Sequence, residues 1–438
     1  MREDAVVNVL MLVANPCVHD SRVLKEAASL RAAGYAITIV CDSDHGRVPS
    51  AIVDDVAFRR VDLSLRAWLG WTGRQGRIAG KDRANGHANP WRAVRSQLRA
   101  LGLRLANTAV GRIAVTALRH RAIRVAVERT AGTLRPDIVH AHDLETLSAG
   151  AAIAAARRVC LVYDAHELEK HRVAVGPWER RRIDRIERAL IRRASAVITV
   201  GNAVARELAR DYALVPPPVV VMNAPDLQRQ RPCKASIRVA AGVAADAPLG
   251  IYIGRLNAQR GVEEVLHGLV HCPGFHLACA GFGEASVIDA LQALAARLGV
   301  LDRFHLAPAV PPDELIAYIA SADFAVIPTQ AHCLNYRYSM PNKLFEATFA
   351  GLPVCASDLP EQRGFVIEAG NGVLMMPDDP ADIARAMQVV YAERARFRPT
   401  AAALALLAEK YAWTAQSARL LDLYATLSAP DVMHAARD

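Results

Sequence analysis

The stretch YIGRLNAQRGVEEVL, residues 252–266, decides how the second half of the chain folds. An apolar run ends at Gly254, a loop carrying Arg255 and Arg260 follows, and a helical pattern begins at Gly261. Backbone N–H groups at a helix start, together with two guanidinium groups, form an anion site suited to a diphosphate. A plain strand–loop–helix with surface arginines fits the same residues, so this loop alone leaves both interpretations open.

Short apolar runs alternate with helical patterns on both sides of this stretch. The runs are continuous rather than alternating, which is typical of parallel strands covered on both faces. The pattern therefore predicts α/β domains with doubly wound parallel sheets. The predicted strands span 6–14, 35–41, 137–141, 159–164, 196–200, 250–253, 276–280, 303–306, 324–328 and 354–357.

A Pro-rich segment, VPPPVVVMNAPD at 215–226, interrupts this alternation and predicts a hinge. We expect a first Rossmann-like domain over 1–220, with a basic insert at about 62–130, and a second over 221–400. The helical segment 401–438 is a candidate to return to the first domain. Two such domains predict a deep cleft between their strand ends, where ligands bind in these sheets.

Composition limits the class of protein further. The chain has 438 residues, 52% of them apolar, which excludes a disordered chain. No apolar run reaches the ~20 residues that a membrane-spanning helix needs. The eight cysteines include no CxxC pair, so we expect buried thiols, no structural metal and a cytoplasmic location.

Positive charge is concentrated in one segment. Residues 59–135 hold 17 Lys or Arg against three acidic residues, with Trp68, Trp71 and Trp91 among them. A second basic stretch covers 172–193. Trp with Arg predicts an anionic membrane surface as partner, on the inner face of the cytoplasmic membrane. A solvated basic helix is the alternative, and no nucleic-acid-binding module is visible, so nucleic acid is not an expected partner.

A second helix start, SMPNKLFEATFAGLP at 339–353, carries a carboxylate among apolar residues. Pro341 suits a first helical turn and Ser339 a cap. Glu346 is suited to accept hydrogen bonds from the vicinal hydroxyls of a ribose. An ion pair between Glu346 and Lys343 is the alternative interpretation. The glycine turn AGFGE, with Gly281 and Gly283, follows another predicted strand.

Together these motifs resemble the retaining glycosyltransferases of family 4, which have the GT-B fold. The resemblance is carried by YIGRLNAQRGVEEVL, AGFGE, SADFAVIPT, SMPNKLFEATFAGLPVCASDLPE and GNGVLMMPDDPADIARAM, in this order over about 249–390. In the first half, NPCVHDSRVLKEAASLRAAGYAITIV, DIVHAHDLETL and LVYDAHELE resemble one bacterial branch of that family.

The resemblance implies a donor site in the second domain. Arg255 and Arg260 would hold the diphosphate, and Glu346 the ribose. Tyr338 stands where the family has its first glutamate, which contacts the transferred sugar. The further implied donor contacts are Gly254, Gly281, Gly283, Ser339, Pro341, Asn342, Lys343 and Leu344.

In the first domain the resemblance places His142 on the side of the family's active-site histidine, next to the transferred sugar. A histidine whose hydrogen bonds are satisfied within its own loop is the alternative interpretation. Asp164, His166 and Glu167 end the next strand, and one of them would orient the acceptor hydroxyl. The loop 15–21 lacks the paired glycines common in the family, so the resemblance assigns no acceptor contacts to this loop. The DSD at 42–44 follows a strand of a doubly wound sheet and predicts a turn rather than a metal site.

The resulting hypothesis is a metal-independent transferase that moves a sugar, with retention, from a nucleoside-diphosphate sugar to a hydroxyl acceptor. The acceptor would be a sugar, a lipid-linked glycan or a small molecule, in the synthesis of polysaccharides, glycolipids or glycosides. No cofactor besides the donor substrate is expected. A nucleotide-sugar epimerase with a similar two-domain fold is one alternative. A catalytically silent binding subunit is another, and Tyr338 supports it.

Overall fold

A computed structural model describes residues 6–44, 46–64, 109–173 and 175–437. Most of the predicted basic insert, including Trp68, Trp71 and Trp91, lies outside these residues. Its last part is a helix, Ala109–Ala131. Every helix among the described residues is too short or too polar to span a bilayer.

The first half of the described chain forms an eight-stranded sheet in the order β3-β4-β2-β1-β5-β6-β7-β8. Strand β3 pairs with β4 antiparallel, whereas β1 runs parallel to both β2 and β5. The strands are β1 Asn8–Leu12, β2 Ala36–Asp42, β3 Ala51–Val53, β4 Val56–Val61, β5 Ile138–His142, β6 Cys160–Ala165, β7 Ala196–Thr199 and β8 Val219–Val220.

A second sheet contains six described strands in the order β11-β10-β9-β12-β13-β14, and its pairs are parallel. Its two central strands, β9 and β12, are buried along their whole length. The strands are β9 Leu249–Ile253, β10 His276–Ala280, β11 Phe304–Ala307, β12 Phe324–Ile327, β13 Val354–Ser357 and β14 Gly372–Met375.

Helices connect the strands and cover the sheets. In the part of the chain up to Tyr212 they are α1 Ser21–Ala32, α2 Ala109–Ala131, α3 Asp143–Arg157, α4 Pro177–Ile191 and α5 Asn202–Tyr212. Those that follow are α6 Ile237–Ala240, α7 Val262–Val270, α8 Ala285–Arg297, α9 Leu315–Ile319, α10 Leu334–Arg337, α11 Asn342–Phe349, α12 Pro360–Ala369, α13 Pro380–Ala392, α14 Arg394–Phe397, α15 Ala401–Tyr411, α16 Trp413–Leu427 and α17 Pro430–Arg437.

The chain divides into two compact units. The first comprises Met1–His166, Gly176–Val197 and Leu423–Asp438, and the second comprises Glu167–Val175 and Ile198–Asp422. The two units divide between Val197 and Ile198, before the Pro-rich segment that contains the predicted boundary at residue 220. The last residues of the chain belong to the first unit.

Two helix starts of the second unit differ in how they are capped, and the cap predicted for α11 is wrong. Asp379 accepts hydrogen bonds from the backbone of the first turn of α13, which is the usual role of an aspartate at this position. Ser339 does not cap α11. Its hydroxyl instead donates to the carbonyl oxygen of Tyr336, at 2.9 Å, and Pro341 occupies the cap position.

Candidate functional site

Two glycine loops at the carboxyl ends of β9 and β10 lie against each other in the second unit. The N–H of Gly254 donates to Ala280 at 2.9 Å, and the N–H of Leu256 donates to Phe282 at 2.8 Å. Leu256 also forms an isolated parallel bridge with Gly283. The two loops therefore extend the sheet beyond its strands, which places their backbones in fixed positions.

Close packing of these loops requires glycine. A Cβ atom at Gly281 would lie 2.0 Å from the carbonyl oxygen of Gly254, and one at Gly261 would lie 2.0 Å from that of Pro328. Gly261 also has a φ of +87°, a conformation that side chains with a Cβ atom rarely adopt. The glycines predicted from the sequence thus bring three chain segments within backbone contact.

Replacing Gly281 by Ala is expected to lower the free energy of unfolding by about 2 kcal/mol or more, because two backbones must move apart. Chemical denaturation measures this change. Gly176→Ala is the matched control: a Cβ atom there meets nothing within 4 Å, so only the poorer capping of α4 by Ala remains, and we expect a cost below about 1 kcal/mol. Equal losses in the two variants would contradict the close approach.

Three basic side chains lie close to aromatic rings at these loops. The Lys343 ammonium lies 3.6 Å from the centre of the Tyr252 ring, and the Arg260 guanidinium lies 5.0 Å from that of the Tyr336 ring. The Arg255 guanidinium lies 6.0 Å from the centre of the Phe282 ring. Aromatic faces hold cations in this way while leaving their N–H donors available.

The first turn of α11 is the third part of this arrangement. If Gly254 had a Cβ atom, it would lie 3.9 Å from the Cε atom of Lys343, so α11 begins beside the first glycine loop. Burial, and next the charge of Arg260, lowers the pKa of Lys343 to about 7, although Glu346 opposes this shift. The ammonium is desolvated against Tyr252 even though other parts of the side chain reach solvent.

The structure therefore brings most of the predicted donor residues together. The group that it joins consists of Gly254, Arg255, Arg260, Gly281, Gly283, Lys343 and Glu346. Leu344 is fully buried in the core instead, and Asn342 opens α11. Ser339 and Pro341 precede the helix. We name the seven joined residues, with Tyr252, the cationic loop cluster.

A buried polar network occupies the carboxyl ends of β5 and β6 in the first unit. The Arg22 guanidinium donates two hydrogen bonds to the Asp164 carboxylate, at 2.7 and 2.8 Å. His166 Nε2 lies 3.0 Å from the same carboxylate, and His142 Nδ1 lies 3.3 Å from it. The His140 and His142 rings stack, with their centres 4.2 Å apart.

The charges of this network follow from its contacts. Burial opposes ionisation of Asp164, yet Arg22 and His166 hold the pKa of its carboxyl well below the usual range. Asp143 and Asp164 hold the pKa of His166 well above its usual value, against the effect of burial. Burial lowers the pKa of His140, which is therefore neutral at pH 7. His142 Nε2 is buried and has no hydrogen-bond partner among the described residues.

Sequence reasoning missed two members of this network. Glu26 is completely buried on α1, one turn after Arg22, whose Nε lies 3.1 Å from its carboxylate. Tyr424, from α16, places its hydroxyl 2.8 Å from His140 Nδ1. The acidic residue among Val23, Ala27 and Leu30 was a usable signal for Glu26, because a carboxylate on an apolar face needs a partner. No local pattern marks Tyr424.

Burial raises the pKa of Glu26 to about 7. The folded chain therefore holds a proton on Glu26 between about pH 4.5 and 7, where the unfolded chain has lost it. Stability from this proton is fully present below pH 4.5 and is lost as the pH rises through about 7.

We expect Glu26→Gln to gain stability relative to the parent chain by a few kcal/mol as the pH rises from about 4.5 to 7. Urea unfolding of both proteins over this pH range measures the difference. A difference that does not change with pH would show that Glu26 titrates normally. Glu409→Gln, an exposed position on α15, serves as the control for a change of charge alone.

Two groups of described side chains have the composition of metal sites. Glu26, His140, His142 and Asp164 form one group, and His171, Glu207 and Asp211 form the other. In the first, Arg22 already neutralises Asp164. In the second, Lys170 contacts Asp211 at 2.7 Å and Arg210 contacts Glu207. A cation would have to displace fixed positive charge in both.

A cavity of about 640 Å³ lies at the carboxyl ends of β1 and β2, in the first unit. Its wall is the loop from Asn15 to Ser21, with Asp44 and Val48 on the other side. Asn15 donates to Asp20 at 2.8 Å, and Asp20 accepts from the first turn of α1. Carboxylates line this cavity, and none of its lining residues is Lys or Arg.

Two family models match the chain. The model described as a glycosyl transferase 4-like domain matches residues 20–225, and the model for glycosyl transferases group 1 matches residues 247–393. The two matches show that the chain is a glycosyltransferase. The second match contains the whole cationic loop cluster. The first contains Arg22, Glu26 and the three histidines of the buried network.

Relatives named as glycosyltransferases also match the chain, and solved structures share its fold. D-inositol 3-phosphate glycosyltransferase of Streptomyces bingchenggensis is 28% identical over 309 residues, which cover 66% of this glycosyltransferase and 66% of the relative. Sucrose-phosphate synthase from Thermosynechococcus elongatus has a similar fold, with a TM-score of 0.72, 17% identity and coverage of 97% and 99%. Anabaena HepE in complex with UDP-glucose has a TM-score of 0.65, 15% identity and coverage of 96% and 99%. The fold is GT-B, as predicted.

Proposed function

We propose that this glycosyltransferase binds the diphosphate of a nucleotide sugar at the cationic loop cluster and transfers the sugar with retention. The observation that carries the proposal is the placement of Arg260, Lys343 and Glu346 around Tyr252 and the first turn of α11. Fixed cations and the N–H groups of a helix start stabilise the negative charge that develops on a departing diphosphate. Glu346 accepts hydrogen bonds from the ribose.

In the transfer step, the bond from the anomeric carbon to the diphosphate oxygen breaks. The acceptor hydroxyl forms the new bond on the same face of the sugar. Its proton passes to the departing phosphate, so no separate base is required. We propose His142 as the catalytic residue of the first unit. Asp164 and His166 are positioning residues, because their side chains hold His142 and each other.

We propose that basic side chains, without a metal ion, neutralise the negative charge of the departing diphosphate. The cationic loop cluster contains three basic side chains and one carboxylate, that of Glu346. Mg²⁺ is usually bound by one or two carboxylates together with substrate phosphates and water. Activity should therefore survive in the presence of EDTA. A complete loss of transfer with EDTA, restored by Mg²⁺, would reject this part of the proposal.

We place the acceptor at the cavity beside the Asn15–Ser21 loop and propose that it is uncharged. Asp20 and Asp44 line that cavity, and like charges would repel a phosphate group on the acceptor. Arg47, 3.7 Å from Asp44, offsets one of these two charges, so Asp20 contributes most of the repulsion. The Streptomyces relative is named for an inositol phosphate acceptor, so the proposed acceptor differs from the one in that name. Neutral sugars and glycosides are the first acceptors to test, and the cytoplasm, where nucleotide sugars are available, is the proposed location.

The donor is tested by a thermal-shift panel of UDP, GDP and dTDP sugars. A ligand at about 100 times its dissociation constant stabilises the folded chain by about 2.7 kcal/mol. We expect one nucleotide to stand out and its shift to disappear in Glu346→Ala. Product anomers, followed by proton NMR, test retention. A product with inverted configuration would reject the proposed transfer step.

A binding subunit without catalytic activity is the second candidate, because Tyr338 replaces the family's first glutamate. It predicts that the donor binds but that neither transfer nor hydrolysis occurs. The proposed transferase predicts turnover that His142→Ala reduces while donor binding persists. Turnover unaffected by both His142→Ala and Glu346→Ala would remove the site assignment itself.

A further inference from the structure

Helix α4 presents a row of arginines to solvent. Arg181, Arg185 and Arg188 in α4, and Arg192 directly after it, are all exposed, and they recur at spacings of three and four residues. This spacing places them on one face of the helix. Trp178 continues the row at the start of α4 with 70% of its surface exposed. We call these five residues the α4 basic face.

The opposite face of α4 anchors the helix to the first unit. Ile183, Glu187 and Ile191 are buried, and the hydroxyl of Tyr163 donates to Glu187 at 2.8 Å. A helix held in this way cannot turn its arginines inward. The α4 basic face is therefore a permanent feature of the surface of that unit.

Few acidic side chains offset this charge. Within α4, Glu179 lies in the first turn, Asp184 contacts Arg188 at 3.2 Å, and Glu187 is buried on the other face. Arg181 lies over the Trp178 ring, with 5.6 Å between its guanidinium carbon and the ring centre. Cation and indole therefore face solvent together at one end of the row.

We propose that the α4 basic face binds the surface of an anionic membrane. Charge complementarity points to a phosphate-rich partner, and the straight row, about 22 Å along a 15-residue helix, fits an extended flat surface. An exposed Trp beside arginines distinguishes a lipid surface from an acidic protein, because indole rings favour the headgroup region of a bilayer. Each basic residue near such a surface raises affinity about fivefold.

The test is sedimentation of the full chain with vesicles of phosphatidylcholine alone or with phosphatidylglycerol added. We expect binding only to the anionic vesicles, and less of it at high salt, where charges are screened. The triple variant Arg181→Gln/Arg185→Gln/Arg192→Gln should lose affinity on the order of 100-fold. Trp178→Ala should weaken binding while leaving its salt dependence unchanged.

The matched control is Arg394→Gln/Arg396→Gln/Arg398→Gln, which removes the same charge from exposed positions of the second unit. It should bind as the parent chain does. Circular dichroism checks that both triple variants fold. Equal binding to neutral vesicles, undiminished binding by the α4 triple variant, or preference for duplex DNA over anionic vesicles would each overturn the proposal. The first two results would place membrane contact elsewhere, and the third would make the partner a nucleic acid.

Discussion

Asp164→Asn is expected to lower the free energy of unfolding by about 3–5 kcal/mol, because it leaves the buried Arg22 guanidinium without its main partner. Only 3% of Arg22 is exposed, so water cannot replace the lost carboxylate. An amide supplies one acceptor where the carboxylate supplied two and brings N–H groups toward a cation. Urea unfolding monitored by circular dichroism measures the loss.

A second variant separates loss of the ion pair from loss of packing. Arg22→Met combined with Asp164→Asn removes both charges and should recover part of the stability lost by Asp164→Asn alone. Asp313→Asn is the matched control, since it breaks an exposed contact of 2.6 Å with Arg231 and should cost less than about 1 kcal/mol. If Asp164→Asn and Asp313→Asn cost the same, the buried pair does not hold the network.

The same variant has a signature in its dependence on pH. The pKa of Asp164 is lower in the folded chain than in the unfolded chain. Its contribution to stability is therefore present above an unfolded pKa of about 3.9 and is lost as the pH falls toward the lower, folded value. Asp164→Asn should be less sensitive to acid than the parent chain in this range, although it is less stable at pH 7.

Arg260→Met and Lys343→Met are each expected to lower kcat/KM for the donor sugar by about 10²–10³-fold. Both remove a fixed cation from the place where negative charge develops on the diphosphate. Neither side chain holds the core together, so the folded state should persist. Initial rates at varied donor concentration, with dissociation constants for the free nucleoside diphosphate, separate binding from turnover. Arg394→Met, an exposed arginine of α14, should leave both unchanged.

Lys343 adds a dependence on pH that Arg260 cannot give. Because its pKa is about 7, half of the free protein carries a neutral Lys343 at that pH. A bound diphosphate favours the charged form, so binding above pH 7 should take up a proton and weaken as the pH rises. Calorimetry in two buffers of different ionisation enthalpy measures the uptake. No uptake by the parent chain, or equal uptake by Lys343→Met, would contradict this assignment.

The same pKa affects the stability of the free protein in the opposite direction. Between about pH 7 and 10.5 the unfolded chain holds a proton on Lys343 that the folded chain has released. Stability from this residue therefore rises with pH across that range. Ligand affinity and stability of the free chain should thus follow opposite trends with pH, which distinguishes Lys343 from a general change in the fold.

The sequence predicted the second unit better than the first. Glycines after a strand, such as Gly254 and Gly281, mark close backbone approaches directly, because few other residues fit there. Ser339 was misread, since a hydroxyl near a helix start can bond to a preceding carbonyl as well as to the helix. The strand pair β3 and β4 was missed because its first strand has only three residues, all exposed.

The buried network was predictable only in part. His142, Asp164 and His166 end neighbouring strands, so parallel pairing brings them together. The contact between His140 and Tyr424 joins residues separated by 284 positions, and neither helix periodicity nor strand pattern encodes it. Contacts of this kind depend on the path of the whole chain, which local sequence does not specify.

That long-range contact also bears on how the protein is made. Tyr424 is completely buried and packs edge-on against Tyr35, with 5.5 Å between ring centres, so its ring is part of the first unit's interior. A ribosome releases Tyr35 and His140 long before it releases Tyr424. The first unit therefore cannot complete the packing of its interior until translation is almost finished. A nascent chain stalled before α16 should recruit chaperones that the released protein does not need.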